Sequence, residues 1–123
     1  MALLDFIRYE QHLTGTKIGC REGDCGACSI LVGESRSGRV VYNSATSCLM
    51  ALGNAHGKHV VTVEGINGEG LTPVQTAFAE EGATQCGFCT PGFIVSLTGY
   101  CMSDKEPGIS AVDAMNGNIC RCT

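Results

Sequence analysis

The stretch "GCREGDCGACSI", residues 19–30, sets Cys20, Cys25 and Cys28 within nine residues and separates them with glycine and charge. Glycine weakens helices and strands and frees the backbone for turns and left-handed conformations, so this segment reads as a loop. A loop built this way presents its thiols either to one another or to something bound. A fourth cysteine, Cys48, follows after nineteen intervening residues and completes a C-x4-C-x2-C…C pattern. That is the plant-type spacing for a [2Fe–2S] cluster.

The physical demand of such a cluster explains the rest of the loop. Two irons, two sulfides and four thiolates carry net negative charge, and one-electron reduction adds more. Burying it requires donors on every side. Gly19, Gly23 and Gly26 are expected to curl the backbone through positive φ, so that successive N–H groups face the sulfurs. Lys17 and Arg21 stand close enough in sequence to offset charge, or to remain solvated on the surface.

Further along, the remaining cysteines form a second set. Cys86 and Cys89 make C-x2-C, and Cys120 and Cys122 make C-x-C after thirty intervening residues. Both pairs sit at expected helix ends, and a helix N-terminus offers free N–H groups to an anion. Zinc competes for this set on spacing alone, because structural zinc sites also use two short-spaced cysteine pairs. It fits the first set poorly, where one ligand stands apart. A disulfide between Cys120 and Cys122 would be strained, and no secretory segment is apparent to favour one. Cys101, the ninth cysteine, lies in an apolar helical stretch and reads as buried and inert.

Composition agrees with a small, stapled protein. The chain has 123 residues, and 44% are hydrophobic, which favours a folded protein over a disordered one. A net charge of -4 without a Lys/Arg cluster disfavours nucleic-acid binding. No apolar run is long enough to span a bilayer, and the N-terminus lacks a basic-then-apolar leader, so a cytoplasmic protein is expected.

Residues 3–13, "LLDFIRYEQHL", have the spacing of an amphipathic helix. The β-branched runs "SILVG" (29–33), "GRVVYNSA" (38–45) and "HVVTVEGI" (59–66) read as strands, with "GESRSG" joining the first two. A helical turn is expected over 48–52. Beyond residue 71 the pattern becomes helical: Thr72 caps and Pro73 opens one helix that Gly82 stops, Thr90-Pro91 repeats that opening, and Ser110 caps "AVDAM". The fold class is therefore α+β, with domains at 1–66 and 67–123 and a linker at 67–72. Each half is too small for its core alone to be comfortable. No general acid/base pair stands out: Glu80-Glu81 falls at a helix end, and Glu22 and Asp24 read as surface charges.

Taken together, "LTGTKIGCREGDCGAC", "SCLMAL", "QCGFCTPGF" and "NGNICRCT" resemble the iron–sulfur region of the molybdenum hydroxylases, the xanthine dehydrogenase and aldehyde oxidase family. The matching segments cover nearly the whole chain. The resemblance implies a ferredoxin-like β-grasp subdomain followed by a four-helix subdomain, each with one [2Fe–2S] cluster. It assigns Cys20, Cys25, Cys28 and Cys48 to the cluster nearer a flavin. Cys86, Cys89, Cys120 and Cys122 would hold the cluster nearer a molybdopterin, with Gln85 and Cys122 beside the pterin. It further implies a molybdenum-binding large subunit and an FAD-binding subunit or domain as partners, with catalysis at carbon on another chain. Two other readings are a stand-alone ferredoxin-like carrier and a zinc-stabilised interaction module. The 123 residues lack the β-hairpin that family members carry ahead of "LLDF", so the sheet is expected to expose an edge. They also stop at "CRCT", where the family's sequence runs on.

Overall fold

A computed structural model describes residues 1–67, 70–103, 108 and 110–120. Its centre is β1 (Ser29–Arg36), flanked by β2 (Arg39–Thr46) and β3 (His59–Val61), both antiparallel to it. Residues 29–33 of β1 are all buried, without the alternation of a half-exposed strand. The cause is cover on both faces. Ile30 and Val32 point to one side and pack with Leu3 and Ile7 from the N-terminal segment. Leu31 points to the other side and meets the backbone of a long helix at Gly99, where an added Cβ would lie 2.9 Å from Leu31 Cδ2.

β1 runs further than the 29–33 that the sequence predicts, while β2 lies one residue later than the expected 38–45. Pairing continues to Arg36 opposite Arg39, so the hairpin loop is only Ser37-Gly38. Both residues have positive φ, 51° and 79°, the conformation of a type I′ turn, whose twist matches that of the strands. The third strand is shorter than 59–66. It ends at Val61, and Val63–Gly65 form a tight 3-10 turn.

The N-terminal helix also departs from expectation. Regular α-helix, α1, spans Leu3–Asp5 and then widens into a π-helical turn over Phe6–Glu10. His12, at φ 56°, takes the chain out of the helix before Leu13. The widening keeps Leu3, Leu4 and Ile7 buried together. The turn expected over 48–52 lies later, as a 3-10 turn over Leu52–Ala55.

Three helices of the second half lie among the described residues: α2 (Pro73–Glu80), α3 (Thr90–Met102) and α4 (Ala111–Ala114). Thr72 closes a capping box with Gln75, each side chain bonding the other's backbone N–H, and Gly82 at φ 62° follows the end of α2. Ser110 and Asp113 form the same box at α4. The cap of α3 is Cys89, one residue earlier than the Thr-Pro pattern suggests, and Thr90 is already helical. Gly92, Phe93, Val95, Ser96 and Gly99 form its buried face. Among the described residues no helix is long and apolar enough to cross a membrane.

Candidate metal centre

The 19–28 loop is folded around its own sulfurs. The N–H groups of Glu22, Asp24 and Cys25 donate to Cys20 Sγ at 3.4, 3.3 and 3.4 Å. Those of Cys20 and Ala27 donate to Cys25 Sγ at 3.5 and 3.4 Å. Such donors stabilise a thiolate over a thiol. The bonds from Glu22, Cys25 and Asp24 pull the Cys20 pKa down to about 7.

Positive φ at Arg21, Gly23 and Gly26 turns the amides inward. The expectation that Gly19 shares this role is not met, because its φ is not positive. Gly19 instead leaves room for a thiol: a Cβ there would lie 2.6 Å from Cys25 Sγ. Arg21 takes the left-handed position that the sequence reading gave to glycine.

Cys48 reaches the loop through a separate set of bonds. The Leu3 and Leu4 N–H groups donate to Met50 O at 2.7 Å and Ser47 O at 3.1 Å, anchoring the 47–50 segment to α1. Ser47, fully buried, donates from its N–H and its hydroxyl to Cys28 O at 3.3 and 2.8 Å. Cys48 is thereby held beside Cys28. Burial pushes its pKa up, the Cys28 thiol adds to that, and the Gly23 N–H works against it.

Cys20 thus neighbours Cys25, and Cys48 neighbours Cys28. Among the described residues no three His, Cys, Asp or Glu side chains close on a single ion. Cys48 lies within electrostatic reach of Cys20 as well, so the four thiols gather in one region with the spacing of a plant-type two-iron site. The residues present therefore fit a [2Fe–2S] group.

The basic residues flanking the loop are engaged elsewhere. Arg21 pairs with Asp5 at 2.9 Å, which holds the Asp5 carboxyl below its ordinary range, and Lys17 Nζ donates to Thr14 O at 2.9 Å. Backbone N–H groups, not these side chains, meet the charge at the sulfurs. Glu22 and Asp24 are exposed, as surface charges should be.

The second set is more dispersed. Cys86 and Gln85 are exposed in the turn before α3, Cys89 is buried at the head of α3, and Cys120 is exposed after α4. Cys122 lies outside the described residues. Cys101 corrects an expectation: it is helical but exposed, because it lies on the face of α3 opposite Gly99.

Sequence reasoning gave Asn118 no role. Its side chain is buried, Nδ2 donating to Gly26 O at 3.2 Å and Oδ1 accepting from Ser96 Oγ at 2.8 Å. Polarity hid it, since an Asn directly after a glycine reads as a turn.

The fold and the first site define a class: a small protein whose backbone is shaped to hold two-iron clusters on cysteine. Comparison with known proteins agrees. Residues 1–53 match the model of the 2Fe-2S iron-sulfur cluster binding domain, and residues 62–123 match that of the [2Fe-2S] binding domain. The structure is similar to quinoline 2-oxidoreductase from Pseudomonas putida 86, with TM-score 0.82 and 38% identity, covering 100% of this chain and 72% of that one. The chain is 42% identical to xanthine dehydrogenase of Blastobotrys adeninivorans over 128 residues, 98% of this chain and 9% of that protein. It is also 42% identical to aldehyde oxidase 3 of Mus musculus over 126 residues, again 98% of this chain and 9% of that protein. The chain belongs to the iron–sulfur domains of the xanthine dehydrogenase-like molybdenum hydroxylase family. It spans about a tenth of the length of these curated relatives.

Proposed function

We propose that the chain carries single electrons between a molybdenum-pterin site and FAD or another acceptor, as the iron–sulfur component of a xanthine dehydrogenase-like hydroxylase. The observation that carries this reading is the gathering of Cys20, Cys25, Cys28 and Cys48 in one region, with backbone N–H groups of the loop donating to the Cys20 and Cys25 sulfurs. The matched ranges support two domains, 1–66 and 67–123, each with one cluster.

Cys20, Cys25, Cys28 and Cys48 hold the flavin-side cluster, and Cys86, Cys89, Cys120 and Cys122 the pterin-side one. When bound, each cluster supplies a one-electron couple. The loop amides favour thiolate at Cys20, and Ser47 keeps Cys28 and Cys48 in register. Gln85, exposed ahead of Cys86, and Cys122 are the residues we assign to the pterin side, where a molybdenum-binding large subunit would meet the chain. FAD belongs to a further subunit or domain. The assembly works in the cytoplasm, without membrane or nucleic-acid partners.

The test is iron and acid-labile sulfide per chain, with EPR of the dithionite-reduced protein. The expected result is two irons and two sulfides for each set of four cysteines, and two distinguishable signals. Cys28→Ser should remove one signal and Cys120→Ser the other. Zinc without labile sulfide would sink the reading. Iron–sulfur protein that never co-purifies with a molybdenum subunit would favour a free carrier.

A further inference from the structure

A cavity of about 220 Å³ lies at the junction of the two halves, between the sheet and α3, with Gly65 and Ile66 closing one side. Its floor follows from the strand register. Leu31 pairs with Val61, and Gly33 stands between Tyr42 on β2 and His59 on β3, so these residues share one face of the sheet. Gly33 has no side chain, and the rings of its two neighbours meet over it. Tyr42 Oη and His59 Nδ1 hydrogen-bond to each other at 2.6 Å, with the rings edge to face. A Cβ on Gly33 would lie 2.6 Å from Tyr42 Cε1, so a larger residue there would displace the pair. The roof is Thr98 and Met102, one turn apart on α3.

Thr98 carries the polar atom in this cavity that lacks a partner. A helical threonine can return its hydroxyl to the carbonyl four residues earlier. Thr98 does not: its Oγ1 is buried, and no group among the described residues bonds it. An unpaired buried hydroxyl is costly, and such groups are rare in folded proteins. The Tyr42 hydroxyl is already engaged by His59. The rest of the wall is apolar, and no Asp, Glu, Lys or Arg lines it. The cavity therefore suits a neutral molecule with an apolar body and one hydroxyl. Size narrows the choice: a dry apolar cavity of roughly 150 Å³ takes benzene, so this one has room for a ring with one or two small substituents. A sheet below and a helix above make a flat slot, and the Met102 sulfur at its rim favours an aromatic ring over a saturated one.

We propose that this cavity binds a small neutral phenol, with its ring between the sheet and α3 and its hydroxyl bonded to Thr98 Oγ1. None of the lining residues is a cysteine, so the site stands apart from the metal centre and is independent of which metal the cysteines hold. The occupant touches the sheet of the first half and α3 of the second, and it stabilises their folded arrangement by mass action.

The test uses the full chain as isolated, with p-cresol and p-xylene as probes, a pair that differs by a hydroxyl in place of a methyl. Methyl NMR follows Leu31, Val61, Ile66 and Met102 through each titration. The expected result is saturable shifts centred on these methyls, with p-cresol bound roughly tenfold more tightly than p-xylene, the worth of one hydrogen bond. Thr98→Val keeps the shape and removes the hydroxyl, so it should weaken p-cresol alone and erase the preference. Thr98→Ser should retain it. No shift from either probe up to its solubility limit, or shifts centred on other methyls, overturns the site. Equal affinities in the parent chain, the result if water alone satisfies Thr98, overturn the part played by its hydroxyl. A preference that persists in Thr98→Val overturns it too. The parent chain and Thr98→Ser make the same comparison even where the valine variant fails to fold.

Discussion

The first cysteine loop and the second cysteine set solve one problem from opposite starting points. In the loop, three cysteines fall within nine residues and the intervening amides already face the sulfurs of Cys20 and Cys25. Cys48 joins them through a buried serine and two N–H bonds from α1. In the second set, thirty residues separate the two pairs, and Cys86 and Cys120 are both exposed. Local chain geometry preforms the first site. The second depends on bringing distant segments together, which costs loop-closure entropy. Metal binding should therefore contribute more to the folding of the second half than of the first.

The largest effect should follow removal of iron. With a chelator and reductant present, hydrogen exchange should leave β1 and β2 protected and should strip protection from α2, α4 and residues 115–120. The first half keeps its core of Leu3, Ile7, Ile30 and Val32 without metal, whereas α2 and α4 bury no residue fully. Equal loss of protection in both halves would break the comparison.

Gly26→Ala should come next. Gly26 has φ 75°, and a Cβ would lie 2.4 Å from the Gly117 carbonyl oxygen, so one methyl disturbs both sites. Gly38→Ala is the matched control, at φ 79° with open space around it. The control should cost roughly 1–2 kcal/mol from the left-handed backbone alone. Gly26→Ala should add roughly 1–3 kcal/mol of overpacking. Urea melts of the two variants measure the difference, and equal midpoints would mean that the junction yields freely.

These contrasts also explain what could be read from the sequence. The first site was legible because its spacing, glycines and thiols lie side by side, and a loop of that composition has few alternatives. The strands were legible as β-branched runs, but their ends were not. Glu34, Ser35 and Arg36 gave no apolar signal, and only the Ser37-Gly38 turn carries the pairing that far. The π-helical turn at Phe6–Glu10 was hidden because burial of Leu3, Leu4 and Ile7 looks the same in any helical spacing. Asn118 and Ser96 were invisible because their value lies in a contact between segments more than twenty residues apart.

A smaller effect is expected at the α2 cap. Thr72→Ala removes the hydroxyl that accepts from Gln75 N–H at 3.3 Å, which should cost about 1 kcal/mol. Because α2 belongs to the half that depends on metal, the loss should be larger in the iron-free chain. Thermal melts with and without iron measure this, and identical shifts would show that α2 is stabilised independently of the cluster.

The smallest effect should be at Cys101. The buried face of α3 runs through Gly92, Phe93, Val95, Ser96 and Gly99, and two residues beyond Gly99 is about 200° around the helix. Cys101 therefore points to solvent, and it is exposed as that rotation requires. With eight thiols committed to iron, this one should be the thiol that a maleimide labels in the loaded protein. Cys101→Ala should abolish the label, leave iron unchanged, and hold or slightly raise the melting temperature, since alanine is the better helix former by at most about 0.7 kcal/mol. If the variant instead loses iron, Cys101 is a ligand, one of the four cysteines now assigned to the second cluster is not, and the contrast between a preformed and an assembled site would have to be redrawn around α3.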